Sequence, residues 1–201
     1  PNDYEGNYFL GSWHRSHEEW DKAIEKLEIN RRNRVKHVHS YGGLSSAYMA
    51  KGLYKEAKEV LEDYLNTFSG NNYIFRQTAD ILAVQGAYDE ALAMMDKAYL
   101  QDPLNPVTFE NFGDVYHAKG DFAKAEDAYN KLLNAQDPAF HYIGYNNLPF
   151  VYLSQGKIQK AKEILAQGIE SAQKHGASSR EADFHSHLAY IMRQSGDYDG
   201  A

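Results

Sequence analysis

Histidine is the residue type here that supports the widest range of chemistry, because its neutral ring binds metal ions and its pKa suits proton transfer. The chain has nine histidines and no cysteine, so a metal site would need histidine and carboxylate ligands. His14 and His17 lie one helical turn apart, but no third ligand is evident near them in the sequence. We therefore expect no metal site there.

The remaining histidines and the known catalytic motifs offer no better candidate. Residues two positions apart point to different faces of a helix. This spacing occurs in the pairs His37 with His39 and His185 with His187. The sequence contains no glycine-rich phosphate loop, nucleophile elbow or paired-carboxylate motif. We expect no catalytic residue, no cofactor and no metal ion, and we predict that the chain is not an enzyme.

Glycine recurs along the chain at a nearly fixed interval. Gly52, Gly86 and Gly120 are 34 residues apart, and Gly156 and Gly196 follow after 36 and 40 residues. An aromatic or aliphatic residue stands two places after each glycine, and an alanine stands five places after it. The pattern predicts six copies of one unit in a single domain over residues 1–201, with the last copy incomplete. Their approximate bounds are 4–37, 38–71, 72–105, 106–141, 142–181 and 182–201.

Each copy contains two apolar stripes at helical spacing, which predicts a pair of antiparallel α-helices. A glycine between the stripes ends the first helix in a left-handed residue without a steric cost from Cβ. In the fourth copy, Asp121 follows that glycine and is placed to cap the second helix. No alternating strand pattern occurs. The two stripes of this copy are Phe109, Phe112, Val115 and Tyr116, and Phe122, Ala125, Tyr129, Leu132 and Leu133.

These features resemble the tetratricopeptide repeat (TPR) family, a 34-residue helix–turn–helix repeat. The fourth copy carries the resemblance best, at Phe109, Phe112, Gly113, Tyr116, Gly120, Phe122, Ala125, Tyr129 and Pro138. The resemblance covers almost the whole chain. It implies an all-α fold, a right-handed superhelical solenoid of antiparallel helix pairs, in which the first helices line a concave groove.

The resemblance also locates the groove, because its lining lies at fixed offsets from the small residue at each helix crossing. These small residues are Gly11, Ser45, Ala79, Gly113, Pro149 and Ala189. Some family members bind the acidic tails of chaperones through a lysine and asparagine clamp. The matching positions here hold Tyr8 with Ser12, and Arg76 with Asp80. The clamp is therefore absent, and co-chaperone function is not expected.

Three carboxamides occupy one groove position in successive copies: Gln77, Asn111 and Asn147. A carboxamide offers a donor and an acceptor together, which matches a peptide unit of any sequence. Similar ladders in related grooves hold an extended peptide by its backbone, and we expect the same here. Neighbouring acidic residues favour a basic segment as the partner. The predicted peptide-binding residues are Arg76, Gln77, Asp80, Glu110, Asn111, Asp114, Asn146, Asn147 and His187.

Three segments depart from the repeat pattern. Pro149 lies inside a predicted first helix, which must therefore kink or begin late. The junction between the fifth and sixth copies is six residues longer than standard, so we expect both flanking helices to gain about a turn, with the break at Gly176 to Ser179. The basic cluster at residues 30–39 is either a solvated helix end or a patch for an acidic partner.

We expect a scaffold module that binds a protein or an extended peptide in its concave groove. A net charge of −7 disfavours nucleic acid and anionic membranes as partners. No apolar run reaches the ~18 residues of a membrane helix, and the cytoplasm is the favoured compartment. The alternative is a regulatory or oligomerising accessory domain of a multidomain signalling protein or enzyme, with its catalytic part outside this chain.

The two ends of the chain carry further expectations. The chain begins without methionine and ends within a copy, so we expect part of a larger protein. Because Ala201 would lie inside the second helix of its pair, Phe184, Leu188 and Ile191 are expected to lack part of their cover. Terminal repeats of solenoids normally carry a polar outer face, so weak self-association is expected through this end.

Overall fold

A computed structural model describes residues 3–196 of the chain, which form eleven α-helices, one short 3-10 helix and no strand. The α-helices are α1 Tyr4–Ser16, α2 Trp20–Arg32, α3 Val38–Ala50, α4 Tyr54–Thr67, α5 Asn72–Val84, α6 Tyr88–Gln101, α7 Pro106–Lys119, α8 Phe122–Leu133, α9 His141–Ser154, α10 Ile158–Lys174 and α11 Ser178–Gln194. The 3-10 helix is Pro138–Phe140. The all-α prediction is confirmed. Tyr198, Ala201 and the second helix predicted for the sixth copy lie outside the described residues.

The chain divides into two compact units, Pro1–Leu104 and Asn105–Ala201. In unit 1, α1 to α6 pack each against the next, and the first helices of neighbouring pairs, α1, α3 and α5, also contact one another in sequence order. In unit 2 the same arrangement holds for α7 to α11, with α9 in contact with both α7 and α11. The helix-pair prediction is confirmed, and the single domain over residues 1–201 stays a prediction.

Each unit has its own hydrophobic core at the helix crossings. In unit 1 the core consists of Leu27, Tyr41, Leu44, Ala57, Val60, Leu61, Tyr64, Ile74 and Ile81. In unit 2 it consists of Ala125, Tyr129, Leu132, Leu148, Val151, Tyr152, Ala161, Leu165, Ala172, Phe184 and Ile191. Burial of each large aliphatic side chain contributes about 1.5–3 kcal/mol, so stacking of the pairs supplies most of the stability.

The turn inside each helix pair follows the predicted chemistry. Gly120 ends α7 in the left-handed region with a φ of 85°, where a Cβ would be strained. The Asp121 side chain then accepts a hydrogen bond from the Lys124 backbone N–H at 3.4 Å and caps α8. The glycine interval in the sequence is therefore the interval between tight turns.

Glu18 occupies the glycine position in the first pair and adopts a φ of 57°. A left-handed conformation costs a non-glycine residue about 1–2 kcal/mol, and the flexibility that glycine adds to the unfolded chain offsets part of the gain. We expect Glu18→Gly to raise the free energy of unfolding by about 0.5–1 kcal/mol, measured by urea denaturation. As the reciprocal control, Gly86→Ala at a φ of 77° should lower it; a loss of stability in Glu18→Gly would contradict this account.

Helix α9, the first helix of the fifth pair, includes Pro149 and does not begin late. Helix α9 begins at His141, eight positions before Pro149, and continues through it to Ser154. Pro149 is buried, so it fills the small-residue position. The late-start alternative is therefore wrong.

The junction between α10 and α11 confirms the expected extension. Both helices have 17 residues, whereas the others have 12 to 14. Gly176 has a φ of 65° and lies between them. The break expected at Gly176 to Ser179 is placed too late, because α11 already begins at Ser178. The extra residues therefore lengthen the two helices, and the turn between them stays short.

The expectation that the last copy lacks part of its cover is wrong for Phe184 and Ile191, whereas Leu188 is only half-buried, as expected. Phe184 and Ile191 are 2% and 0% exposed, because α11 packs on α9 and α10; the Phe184 ring lies 5.4 Å from that of Tyr142. Ala189 is exposed, although the pattern places it at a buried crossing; the second helix of that crossing falls outside the described residues. The C-terminal core is therefore covered at Phe184 and Ile191.

Candidate functional site

In unit 2 the predicted peptide-binding residues lie on the first helices of neighbouring pairs. We call this surface the unit 2 face: Glu110, Asn111 and Asp114 on α7, Asn146 and Asn147 on α9, and His187 on α11. Asp114 is exposed and the others are half-buried. The next two residues of α9, Leu148 and Pro149, are buried. The core thus fixes the backbone of the helices while polar side chains stay accessible.

The carboxylate of Asp114 is held by a hydrogen bond from the core residue Tyr129. The Tyr129 hydroxyl donates to its Oδ1 at 2.6 Å, and the Tyr129 ring is 1% exposed. Surrounding protein atoms raise the pKa of Asp114 by removing water from the charged form, and the hydrogen bond from Tyr129 opposes this rise. Burial, followed by the Asp114 charge, raises the pKa of Tyr129. Asp114 keeps accessible surface, so its carboxylate remains able to meet a ligand.

His187 adds an aromatic edge to the unit 2 face. Its ring lies 5.0 Å from the Phe150 ring in an edge-on arrangement, and Phe150 lies 6.2 Å from Tyr190. The Nδ1 atom of His187 is buried and has no hydrogen-bond partner among residues 3–196. The structure therefore brings His187 next to apolar rings rather than next to the acidic residues of α7.

In unit 1 the predicted residues lie on α5 and are engaged with neighbours. The Ser46 hydroxyl donates to Gln77 Oε1 at 3.4 Å, and Gln77 Nε2 donates to Asp80 at 3.4 Å. Arg76 Nε donates to the Asn72 side chain at 2.8 Å. Both hydrogen bonds of Gln77 are long, so they constrain its carboxamide weakly. Because Gln77 belongs to unit 1 and the two asparagines belong to unit 2, the three-residue ladder stays a prediction.

Sequence reasoning missed a group of rings in unit 1. The His37 ring lies 4.6 Å from Tyr8 and 5.9 Å from His39, and His39 lies 5.2 Å from Tyr73. The expectation that His37 and His39 point apart is wrong, because His37 has an extended backbone and precedes α3, where helical geometry does not apply. The adjacent glycines Gly42 and Gly43 in α3 were the signal in the sequence, since they leave room for side chains from α1 and α5.

The basic cluster at residues 30–39 contributes to packing. Arg31 donates to Asp63 of α4 at 3.0 Å and forms an ion pair with Glu28 at 3.1 Å. Arg32 and Arg34 are exposed at the end of α2. One member of the cluster thus ties two helices together, and the two interpretations of the exposed members stay open.

The predictions on metal binding at His14 and on membrane helices concern residues that the structure describes. The His14 ring contacts the Glu19 carboxylate at 2.5 Å. No set of three or more histidine, cysteine or acidic side chains within residues 3–196 is arranged to hold a metal ion. None of the helices α1 to α11 is long and apolar enough to cross a membrane.

Solved structures with similar folds include TPR proteins. TTC0263, a TPR protein of Thermus thermophilus, is 19% identical with a TM-score of 0.74, over 94% of this chain and 98% of that chain. PilF of Pseudomonas aeruginosa is 19% identical with a TM-score of 0.66, over 98% and 93%. YrrB, described as a TPR protein with an unusual peptide-binding site, is 21% identical with a TM-score of 0.57, over 84% and 86%. At these identities the likeness concerns the fold.

The sequence itself gives the family. No curated protein sequence matches the chain significantly. The tetratricopeptide repeat-like domain matches residues 43–143, which is half of the chain. This segment contains α4 to α8 and the glycine turns that set the interval. With the helix pairs of both units, the match shows that the chain belongs to the tetratricopeptide repeat-like family.

Proposed function

We propose that this chain is a non-catalytic module that binds an extended peptide, or an extended segment of a protein, on its first-helix surfaces. The observation that carries the proposal is the unit 2 face, where carboxamides and carboxylates are accessible on helices whose opposite sides are buried. TPR-like repeats generally mediate protein–protein interactions. YrrB, with the same fold, is described as having a peptide-binding site, which supports the proposal.

On the unit 2 face, carboxamides would bind the ligand backbone and carboxylates would bind its side chains. Asn111 and Asn147 each offer a donor and an acceptor to the ligand backbone. Glu110 and Asp114 attract basic side chains, which makes a basic segment the favoured ligand for this face. Because these carboxylates are accessible to solvent, their attraction is expected to weaken as salt increases.

Asn111→Ala and Asn147→Ala are expected each to weaken binding of a peptide ligand by about 0.5–1.5 kcal/mol, the net value of a neutral hydrogen bond. Neither side chain is in the core, so the melting temperature should stay almost unchanged. The ligand would first be isolated by pull-down with the whole chain and mapped on a peptide array. Its affinity for each variant would then be measured by isothermal titration calorimetry.

The matched control is Gln159→Ala, which removes an exposed carboxamide from α10, the second helix of the Asn147 pair. This variant should bind as the wild type does. Binding that survives both asparagine substitutions unchanged would place the ligand elsewhere on the chain and overturn the assignment of the unit 2 face.

A further inference from the structure

Side chains from α1 and α5 meet over α3 in unit 1, because α3 carries two adjacent glycines there. A Cβ added at Gly42 would lie 2.3 Å from a carbon of the Tyr73 ring, and one added at Gly43 would lie 3.0 Å from Nη1 of Arg15. Tyr73 therefore covers Gly42, and Arg15 covers Gly43. The two side chains come from helices on either side of α3 and share one surface.

Aromatic rings extend this surface into a continuous row. Tyr8, His37, His39 and Tyr73 lie with successive ring centroids 4.6, 5.9 and 5.2 Å apart. Burial and the nearby His39 lower the pKa of His37, which favours its neutral form at pH 7. We call this surface the unit 1 face: Tyr8 and Arg15 on α1, His37 and His39 at the start of α3, and Tyr73 and Arg76 on α5. Its rings offer flat apolar area at low conformational cost.

The two permanently charged residues of the unit 1 face, Arg15 and Arg76, are both cations, and Asp80 and Glu5 lie beside the face. The Arg76 guanidinium carbon lies 6.0 Å from the centroid of the Tyr73 ring. Burial raises the pKa of the Tyr73 phenol, while Arg15 and Arg76 act to lower this pKa and Asp80 acts to raise it. At the other end of the row, the charge of Glu5 acts to raise the pKa of His37.

One hydrogen-bond donor of Arg15, its buried Nε–H, has no acceptor among the described residues of the chain. A buried N–H donor without an acceptor is costly, and more so when it belongs to a charged group. A guanidinium presents a planar fork of donors that matches a carboxylate. Arg15 as a whole is only half-buried, so a partner's carboxylate would meet the guanidinium at its Nη groups and reach Nε after a small rotation of the side chain.

We infer that the unit 1 face binds an acidic peptide segment, whose carboxylate accepts from Arg15 and whose apolar groups pack on Tyr8 and Tyr73. This inference rests on the proposed peptide-binding function. It assigns the chemistry of the partner for the unit 1 face, which lies apart from Asn111 and Asn147 in the sequence and belongs to the other unit. It differs in sign from the preference of the unit 2 face. The arginines and the row of rings together set the expected pattern: acidic residues interspersed with aromatic or aliphatic ones.

The test uses the whole chain and fluorescein-labelled peptides of repeated Glu-Glu-Phe triplets, with repeated Lys-Lys-Phe triplets for comparison, both amidated at the C-terminus. Because the lysine peptide can bind the acidic unit 2 face, it is the comparison whose affinity should not respond to Arg15→Gln. Fluorescence anisotropy should show binding of the glutamate peptide. Arg15→Gln should weaken that binding about tenfold, which corresponds to about 1.4 kcal/mol. The matched control is Arg180→Gln on α11, whose side chain is exposed; it should leave binding unchanged.

Two further measurements keep the test independent of folding. Arg15→Lys keeps the charge but lacks Nε, so it should recover only part of the affinity, and circular dichroism melts should show all three variants folded. In nitrogen-15 NMR spectra, the Arg15 Nε–H signal should shift when the amidated glutamate peptide is added. A glutamate peptide with a free C-terminus that binds much more tightly would identify the terminal carboxylate, rather than a side chain, as the group bound.

Three outcomes would overturn the inference: no binding of the glutamate peptide, Arg15→Gln binding it as the wild type does, or Arg15→Gln weakening the lysine peptide to the same extent. Failure of the proposed function is distinguishable. If the pull-down partner binds the chain and is insensitive to Arg15→Gln but sensitive to Asn111→Ala or Asn147→Ala, peptide binding stands and only the assignment of the unit 1 face fails.

Discussion

Tyr129→Ala is expected to lower the free energy of unfolding by about 3–5 kcal/mol, the usual cost of removing a buried aromatic ring. Tyr129 is 1% exposed in the core of unit 2, and its ring lies directly against Gly113. The substitution also leaves the Asp114 carboxylate without the hydrogen bond that fixes it at 2.6 Å. Urea denaturation followed by circular dichroism would measure the loss.

Two companion variants separate packing from hydrogen bonding at this position. Tyr129→Phe keeps the ring and should cost only about 1 kcal/mol, because water can replace the hydroxyl at the exposed Asp114. Tyr190→Ala removes a tyrosine of the same unit that is 40% exposed, and its cost should stay below about 1 kcal/mol. Equal losses in Tyr129→Ala and Tyr190→Ala would show that Tyr129 is not the anchor described above.

The fold follows from the sequence because the residues that encode it act locally. Glycine at the turns and alanine at the crossings each have one structural role, and each recurs at the same interval. Glu18 shows the limit of this pattern, since the turn is kept there without its glycine, at a φ of 57°.

The site was less predictable because it depends on contacts between helices far apart in the sequence. The offset rule placed Asn111 and Asn147 on accessible positions of the first helices, yet it gave no sign that Tyr129 anchors Asp114. The approach of Tyr73 to Arg15 requires the glycine pair of α3 and the detailed packing of three helices. A periodic pattern reports which face a residue occupies, and it does not report which distant side chain fills the space above a glycine.

Gly113→Val is expected to lower the free energy of unfolding by about 2–3 kcal/mol through overpacking. A Cβ at Gly113 would lie 2.5 Å from Cζ of Tyr129, a distance at which one of the two groups must move. Tyr129 cannot move easily, since its ring is buried and its hydroxyl is bonded to Asp114. The better helix propensity of valine returns only a few tenths of a kcal/mol.

Gly42→Val is the matched comparison, because a Cβ there would lie 2.3 Å from the Tyr73 ring but Tyr73 is only half-buried. That ring can swing toward solvent, so the stability loss should stay below about 1 kcal/mol. The displaced ring should nevertheless abolish the preference of the unit 1 face for the Glu-Glu-Phe peptide. Urea denaturation and fluorescence anisotropy on both variants give the two readouts. If Gly42→Val destabilises the chain as much as Gly113→Val, the freedom of the neighbouring ring does not decide the cost; if it keeps the peptide preference, Tyr73 is not part of the binding surface.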